Sequence, residues 1–142
     1  MKAIKISRRL IREVRQRANH RCEYCQSSEW LTGQPFTIDH IIPRAREGAT
    51  ISDNLCLACA PCNGYKLDQV EAVDPESGKI VPLFNARQQQ WQDHFTWSVD
   101  GTEIIGLTSC GRATMAALKL NRPLVVSARA TWVATKRHPP SG

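Results

Sequence analysis

Apolar residues recur every four positions near the start of the chain, and arginines fill most of the positions between them. The apolar positions are Ile6, Leu10, Val14 and Ala18. A four-residue step keeps side chains on one side of a helix, and Ser7 is a good residue to cap its first turn. The pattern predicts an amphipathic helix over 7–18, with one packed face and one face turned to solvent or phosphate.

Short apolar stretches of strand length follow this helix. Residues 35–43 alternate apolar and polar side chains as a strand does, and a proline ends the pattern. Residues 54–58 form the next short apolar stretch. Pro61 suits a first helical turn, so a short helix is predicted from there through Asp68. The stretch 27–34 is predicted to be a polar loop.

The second half of the chain contains two hairpin patterns and two helical ones. The predicted elements are hairpins over 70–83 and 95–107, helices over 111–120 and 124–135, and a frayed tail over 137–142. Turn residues mark both hairpins, and Asp100-Gly101 is a strong signal for a two-residue turn. The break around Pro123 separates the two helices.

Length and composition indicate one globular domain. The chain has 142 residues, of which 42% are hydrophobic and 23% charged, close to globular averages. No apolar run approaches the roughly 20 residues needed to cross a bilayer, and the start lacks the apolar segment of a secretory signal. We therefore expect a cytoplasmic protein without membrane contact. The oligomeric state is left open.

The positive charge is concentrated at the start of the chain. The chain has 19 basic and 13 acidic residues, a formal net charge of +6. The basic residues up to position 21 are Lys2, Lys5, Arg8, Arg9, Arg12, Arg15, Arg17 and Arg21. They share this segment with a single acid, Glu13. Such a basic helix is a candidate surface for nucleic acid, the commonest large polyanion. The alternative is a solvated face that only aids solubility.

Four of the six cysteines form two C-x-x-C pairs. These residues are Cys22, Cys25, Cys59 and Cys62. A cytoplasmic protein keeps its thiols reduced, so disulfides are not expected. Each pair lets two thiolates approach one ion from a tight turn, and four thiolates complete the shell of a structural zinc ion. Cys56 offers an alternative register with the second pair, although its apolar neighbours favour a buried side chain. No role is assigned to Cys110.

The long segment between the pairs, together with the second pair, carries a specific set of residues. They are Asp39-His40-Ile41-Ile42-Pro43, Asn54-Leu55 and Cys59-Ala60-Pro61-Cys62-Asn63-Gly64-Tyr65-Lys66. In this order and spacing they resemble the HNH endonuclease family over roughly residues 20–68. The resemblance implies two strands and a helix around a metal centre, the ββα-metal or His-Me finger arrangement, with zinc held by the cysteines. A looser resemblance to the C-terminal extension of stand-alone HNH proteins follows after about residue 80.

Phosphodiester hydrolysis needs a base for the attacking water. His40 is the candidate, because imidazole titrates near neutral pH; standing alone, it would more often be a packed core residue. The resemblance implies that Asp39 ligates the catalytic cation and that the carbonyl group of Asn54 holds the imidazole, although Asn54 also suits a turn. Neighbours in a strand point to opposite faces, so Asp39 and His40 cannot serve one site by alternation alone.

Asn63 is a departure from the family pattern, since many members carry histidine there. The oxygen donors of Asp39 and Asn63 suit Mg²⁺ or Mn²⁺ better than Ni²⁺ or Zn²⁺ as the catalytic ion. The same departure leaves open a feeble or lost activity. Arg44 and Lys66 are candidate phosphate contacts, or else solvated surface charges.

These observations predict an α+β protein in three parts: a basic helix over 1–21, an HNH zinc and catalytic core over 22–69, and an extension of hairpins and helices over 70–142 packed on the core. The expected function is metal-dependent hydrolysis of DNA, with Zn²⁺ and Mg²⁺ or Mn²⁺ but no small-molecule cofactor. The alternative is a zinc-dependent nucleic-acid-binding module with weak or no cleavage. A redox or zinc-storage protein would leave the Asp-His pair and the central asparagine unexplained.

Overall fold

The computed structural model describes residues 5–140. Residues 1–4 of the predicted basic segment and 141–142 of the predicted tail lie outside the described residues. The elements in chain order are α1 (Arg8–Arg17), α2 (Glu29–Thr32), β1 (Thr37–His40), β2 (Leu55–Ala58), α3 (Ala60–Lys66), β3 (Glu71–Val73), β4 (Ile80–Pro82), α4 (Trp91–His94), β5 (Phe95–Trp97), β6 (Ile104–Gly106), α5 (Ser109–Leu118) and α6 (Pro123–Ala134). Separate helices and small antiparallel sheets confirm the predicted α+β class. Over residues 5–140, no helix is long and apolar enough to cross a membrane.

Helix α1 confirms the amphipathic pattern at the start of the chain. The Ser7 hydroxyl caps it by accepting a hydrogen bond from a first-turn N–H at 3.2 Å. The apolar stripe faces inward, and Val14 is fully buried in the core. In the last turn, Arg17 donates to the backbone oxygen of Leu55. Helix α1 is therefore tied to the start of β2.

The centre of the molecule is an antiparallel hairpin followed by a helix. Strands β1 and β2 pair so that Asp39 lies opposite Cys56 and His40 opposite Leu55. All four residues of β2 are buried, which explains why this strand is a continuous apolar run. Helix α3 follows β2 after one residue. It begins at Ala60, so the predicted helical proline occupies the second position instead of the first.

Four local features differ from the predictions. The predicted frayed tail is packed at His138, which is buried and whose Nε2 lies 3.1 Å from the Gly101 carbonyl oxygen. Helix α2 is a single turn where a polar loop is predicted, because the Ser28 hydroxyl caps it and Gly33 ends it at φ 68°. Helix α4 is another unpredicted single turn. The second hairpin forms, but its turn has four residues instead of the predicted two. The last hydrogen bond before the turn runs from the Ser98 N–H to the Glu103 carbonyl. The Gly101 N–H bonds back to the Ser98 carbonyl inside that turn.

One hydrophobic core joins the central hairpin to the C-terminal extension. Its members include Tyr24, Leu55, Leu57, Phe84, Phe95, Ile104, Leu118 and Leu120. Trp91 stacks on Phe95 with 5.0 Å between ring centroids, and its indole N–H donates to the Tyr24 carbonyl at 2.9 Å. Arg87 pairs with Glu23 close by. These aromatic residues therefore pack the extension onto the hairpin, while the boundaries at 21 and 69 stay predictions.

Candidate zinc site and catalytic site

The two C-x-x-C pairs meet at one point. The sulfur atoms of Cys22, Cys25, Cys59 and Cys62 all lie within 4.8 Å of one another. The Cys25 and Cys59 sulfurs are 3.7 Å apart, against about 3.8 Å expected between sulfurs that bind one tetrahedral zinc at about 2.3 Å. None of the four residues is more than 4% exposed. The donor chemistry and spacing fit a closed structural zinc site.

The central hairpin explains how cysteines so far apart in sequence meet. The second pair follows β2 directly and lies in the first turn of α3. The first pair is attached to the same strand by two hydrogen bonds, from Glu23 N–H to the Leu57 carbonyl at 2.8 Å and from Leu57 N–H to the Glu23 carboxylate at 2.9 Å. Strand β2 therefore brings the two cysteine turns together.

Polar groups surround the sulfur atoms. The Ser27 hydroxyl lies 3.2 Å from the Cys25 sulfur. Arg122, between α5 and α6, places its two terminal nitrogens 3.6 and 3.7 Å from the sulfurs of Cys59 and Cys62. No sequence motif marks Arg122, and nothing in the sequence alone connects it with cysteines some 60 positions earlier.

Cys56 lies outside this cluster, so the alternative register with the second pair is not used. Its thiol lies on the same face of the hairpin as Asp39, 3.6 Å from the Tyr24 hydroxyl and from the Asp39 carboxylate. Burial, followed by the charge of Asp39, raises its pKa well above the usual value. Cys56 is therefore a neutral core residue, as its apolar neighbours in the sequence indicate.

Asp39 is buried in an ion pair. Its carboxylate is 5% exposed and accepts a hydrogen bond from the Tyr24 hydroxyl at 2.9 Å. The Lys66 ammonium lies 3.2 Å from one carboxylate oxygen and 3.3 Å from the other, and its side chain is 2% exposed. Lys66 is thus neither a solvated charge nor a group placed to meet phosphate directly. It links the last turn of α3 to the end of β1.

His40 ends β1 and reaches a different part of the molecule from Asp39. Its Nε2 lies 2.9 Å from the Thr50 hydroxyl, while its backbone carbonyl accepts a hydrogen bond from Lys66 at 3.1 Å. Partial burial lowers the pKa of the imidazole below its usual 6.5. Asp39 opposes this shift, and the positive charges of Arg44 and Lys66 add to it. At neutral pH the ring is therefore mainly uncharged.

Asn54 holds the loop between β1 and β2. Its amide oxygen accepts from Ile42 N–H at 2.9 Å, and its amide nitrogen donates to the carbonyls of Ile42 and Ala49 at 3.0 and 2.8 Å. The amide thus bonds to the loop backbone, and the imidazole of His40 bonds to Thr50 instead. The resemblance implies a direct contact between Asn54 and the imidazole of His40. The structure shows an indirect connection instead, through the loop that Asn54 bonds to and that carries Thr50.

Asn63 lies on the α3 side of the hairpin. Its amide nitrogen donates to the Thr37 hydroxyl at 3.2 Å. Thr37 and Asp39 are two residues apart in β1 and so share one face. The structure therefore brings Asn63 and Asp39 to the same side of β1, as a common cation site requires. His40 lies on the other side of the strand, next to the loop.

Residues 22–66 form a ββα unit closed by four cysteines, with a histidine at the end of its first strand, and this is the arrangement of a ββα-metal unit with a structural zinc site. Residues 22–69 match the model of the family described as HNH endonuclease. The matched part contains both cysteine pairs, β1, β2 and α3, and it confirms the resemblance found in the sequence. No curated protein and no solved structure matches the chain. The family indicates nuclease chemistry for this segment.

The cysteine cluster predicts one tightly held zinc ion per chain. Cys59→Ser should unfold or aggregate the protein, because the free energy of metal binding at such a site is largely folding free energy. Cys110→Ser is the matched control, since Cys110 is half-buried and lies outside the cluster. Elemental analysis and circular dichroism of both variants measure the effect. A folded preparation of the parent protein without zinc contradicts the assignment.

Proposed function

We propose that the protein is a metal-dependent DNA endonuclease in which His40 is the general base. The observation that carries this proposal is an uncharged, partly accessible imidazole at the end of β1, within a segment that matches the HNH family. A buried and fully bonded histidine would favour a packing role, and His40 is neither. A cytoplasmic location is part of the proposal, because a reducing compartment keeps the four clustered thiols available to bind zinc.

The contact of His40 with Thr50 is compatible with the tautomer that a general base needs. A base must offer an unprotonated nitrogen to water. If Nε2 carries the hydrogen and donates it to the Thr50 hydroxyl, Nδ1 is left free to accept a proton. We therefore assign Nδ1 as the atom that accepts the proton of the attacking water. We assign Thr50 as the residue that selects this tautomer. Asn54 acts one step further away, by holding the loop that carries Thr50.

Asp39 and Asn63 are the residues that would hold the catalytic cation. Both offer oxygen donors, which suit a hard ion such as Mg²⁺ or Mn²⁺, and both lie on the α3 side of β1. When bound, such an ion stabilises the negative charge that builds up on the phosphate. The Asp39 carboxylate already faces the Lys66 ammonium, so cation binding and Lys66 use the same oxygens.

DNA is the partner that the charge distribution supports. Arg8, Arg9 and Arg12 are exposed on α1 and are available to phosphates. Arg15 is not equally available, because it donates to the Phe36 carbonyl and pairs with the Glu29 carboxylate. The phosphate-binding surface proposed here is therefore the first half of α1.

A second candidate is a zinc-dependent nucleic-acid-binding module without cleavage. The buried Asp39–Lys66 pair favours it, because a carboxylate neutralised by an ammonium group is a weaker ligand for a divalent ion. Asn63, in place of a histidine ligand, points the same way. The two candidates share the zinc site and the basic helix and differ only in hydrolysis.

Supercoiled plasmid incubated with the protein and Mg²⁺, Mn²⁺ or EDTA separates the two candidates. We expect cleavage with either metal ion and none with EDTA. His40→Ala should lower the rate by about 10²- to 10⁴-fold, the usual contribution of a general base, while zinc content and DNA binding persist. His20→Ala is the control, since His20 pairs with Glu29, whose carboxylate bonds to Phe36 N–H before the start of β1 and not to His40 at its end.

Two outcomes contradict the proposal. Cleavage by His40→Ala at the parent rate shows that His40 is not the base. Retained DNA binding without cleavage in any metal supports the binding module instead. Asp39→Ala is a poorer test than His40→Ala, because it leaves the Lys66 ammonium buried without its partner, at a cost of about 3–5 kcal/mol in stability.

The lowered pKa of His40 predicts the pH dependence of cleavage. Protonation removes the base, so kcat/KM should be constant above the imidazole pKa and fall as pH decreases through it. Because that pKa lies below the usual 6.5, the acidic limb should lie below pH 6.5. Plasmid cleavage from pH 4.5 to 8 measures the limb, with zinc content checked at each pH. A limb above pH 7 contradicts the assignment.

The exposed arginines of α1 predict a salt effect on DNA binding. Changing Arg8, Arg9 and Arg12 to Gln should weaken binding to all sequences and flatten log K against log salt, by roughly 0.9 for each phosphate that is no longer neutralised. The control carries the same reduction of charge at three exposed positions elsewhere, Lys79, Lys136 and Arg137. An unchanged slope in the α1 variant shows that this helix face is only solvated.

A further inference from the structure

Arg122 is the contact between the C-terminal extension and the second cysteine pair. It lies just before the first residue of α6, and its guanidinium faces two sulfurs at once, with Nη2 3.6 Å from Cys59 and Nη1 3.7 Å from Cys62. It also donates to the Lys119 carbonyl at 3.2 Å. The guanidinium is thereby held between the end of α5 and the sulfur cluster.

The negative charge of a four-cysteine zinc site explains why a guanidinium lies next to the sulfur atoms. Four thiolates and one Zn²⁺ carry a formal charge of minus two, and these four cysteines are buried. Buried charge is unfavourable unless it is paired. Arg122 supplies one positive charge through charge-assisted hydrogen bonds to two of the sulfurs, which are stronger than neutral ones.

Helix α6 brings a second buried cation to the same side of the protein. Arg129 is fully buried, donates to the backbone carbonyls of Leu120 and Thr102, and lies within electrostatic reach of Cys25 and Cys62. Together the two arginines of the extension match the formal charge of the loaded site. Arg87 and Trp91 join the extension to the turn of the first cysteine pair.

We propose that Arg122 is a positioning residue of the zinc site, through which zinc retention and the docking of α6 stabilise each other. The guanidinium neutralises the Cys59 and Cys62 thiolates and lowers the tendency of the ion to leave. In return, the loaded site anchors the N-terminal end of α6. By linkage, the two effects have the same magnitude. The proposal rests on zinc occupancy of the cysteine cluster and does not require nuclease activity.

Zinc-loaded Arg122→Met tests the first half of the proposal. We expect its zinc affinity, measured by competition with a chromogenic chelator, to fall about 10- to 100-fold, as for other groups that bond to metal ligands. Arg122→Lys keeps the charge but not the two-pronged geometry and should lie between Arg122→Met and the parent. Arg137→Met removes the same charge at an exposed position and should bind zinc like the parent.

Hydrogen exchange tests the second half on the zinc-loaded proteins. Amides of residues 124–134 should exchange faster in Arg122→Met than in the parent, while those of β1 and β2 keep their protection. Parent-like zinc affinity in Arg122→Met overturns the proposal, and so does unchanged exchange in α6. If Arg122→Met fails to fold, Arg122→Lys decides alone, and parent-like affinity and exchange in that variant also overturn it. Plasmid cleavage plays no part in the outcome, so failure of the proposed nuclease function is judged separately.

Discussion

The meeting of two cysteine pairs at one buried point is the constraint on which the rest of the structure depends. The strands of the molecule are only three or four residues long, and an isolated two-stranded hairpin of that size is marginal in water. A zinc ion shared by the four cysteines would fix the first turn of α3 relative to the turn around Cys22, and β2 lies between them. The hairpin then has a defined surface on which α1 and the extension pack.

The same constraint places the candidate catalytic residues. With α3 held at its first turn by two cysteines, its last turn reaches the end of β1, where the Lys66 ammonium bonds to the carboxylate of Asp39 and to the backbone of His40. A buried ion pair adds little net stability, but breaking it is costly, so it specifies one arrangement over others. The register of α3 on the hairpin is specified at both ends of the helix.

The sequence predicts well those features that have a short-range signature. Residues close together in the sequence define the i+4 stripe of α1, the turns of the two hairpins and the C-x-x-C spacing. The HNH resemblance adds the order of the central elements. One-turn helices such as α2 are shorter than any periodic signal. Thr50 and Arg122 are not predicted from the sequence. Their contacts, with the His40 ring and with the cysteine sulfurs, depend on the tertiary structure, which no local pattern encodes.

Asn54 fixes the loop that carries Thr50 without contacting the imidazole of His40. Its amide closes the loop by bonding to Ile42 and Ala49. Gly48 lets the loop pass so close to the Ile42 carbonyl that a Cβ there would lie 1.6 Å from the oxygen. His40 is then held by Lys66 at its backbone and by Thr50 at its ring. Because a general base gains most from a fixed orientation toward its water, this frame around the imidazole is a stronger argument for chemistry at His40 than the identity of the residue itself.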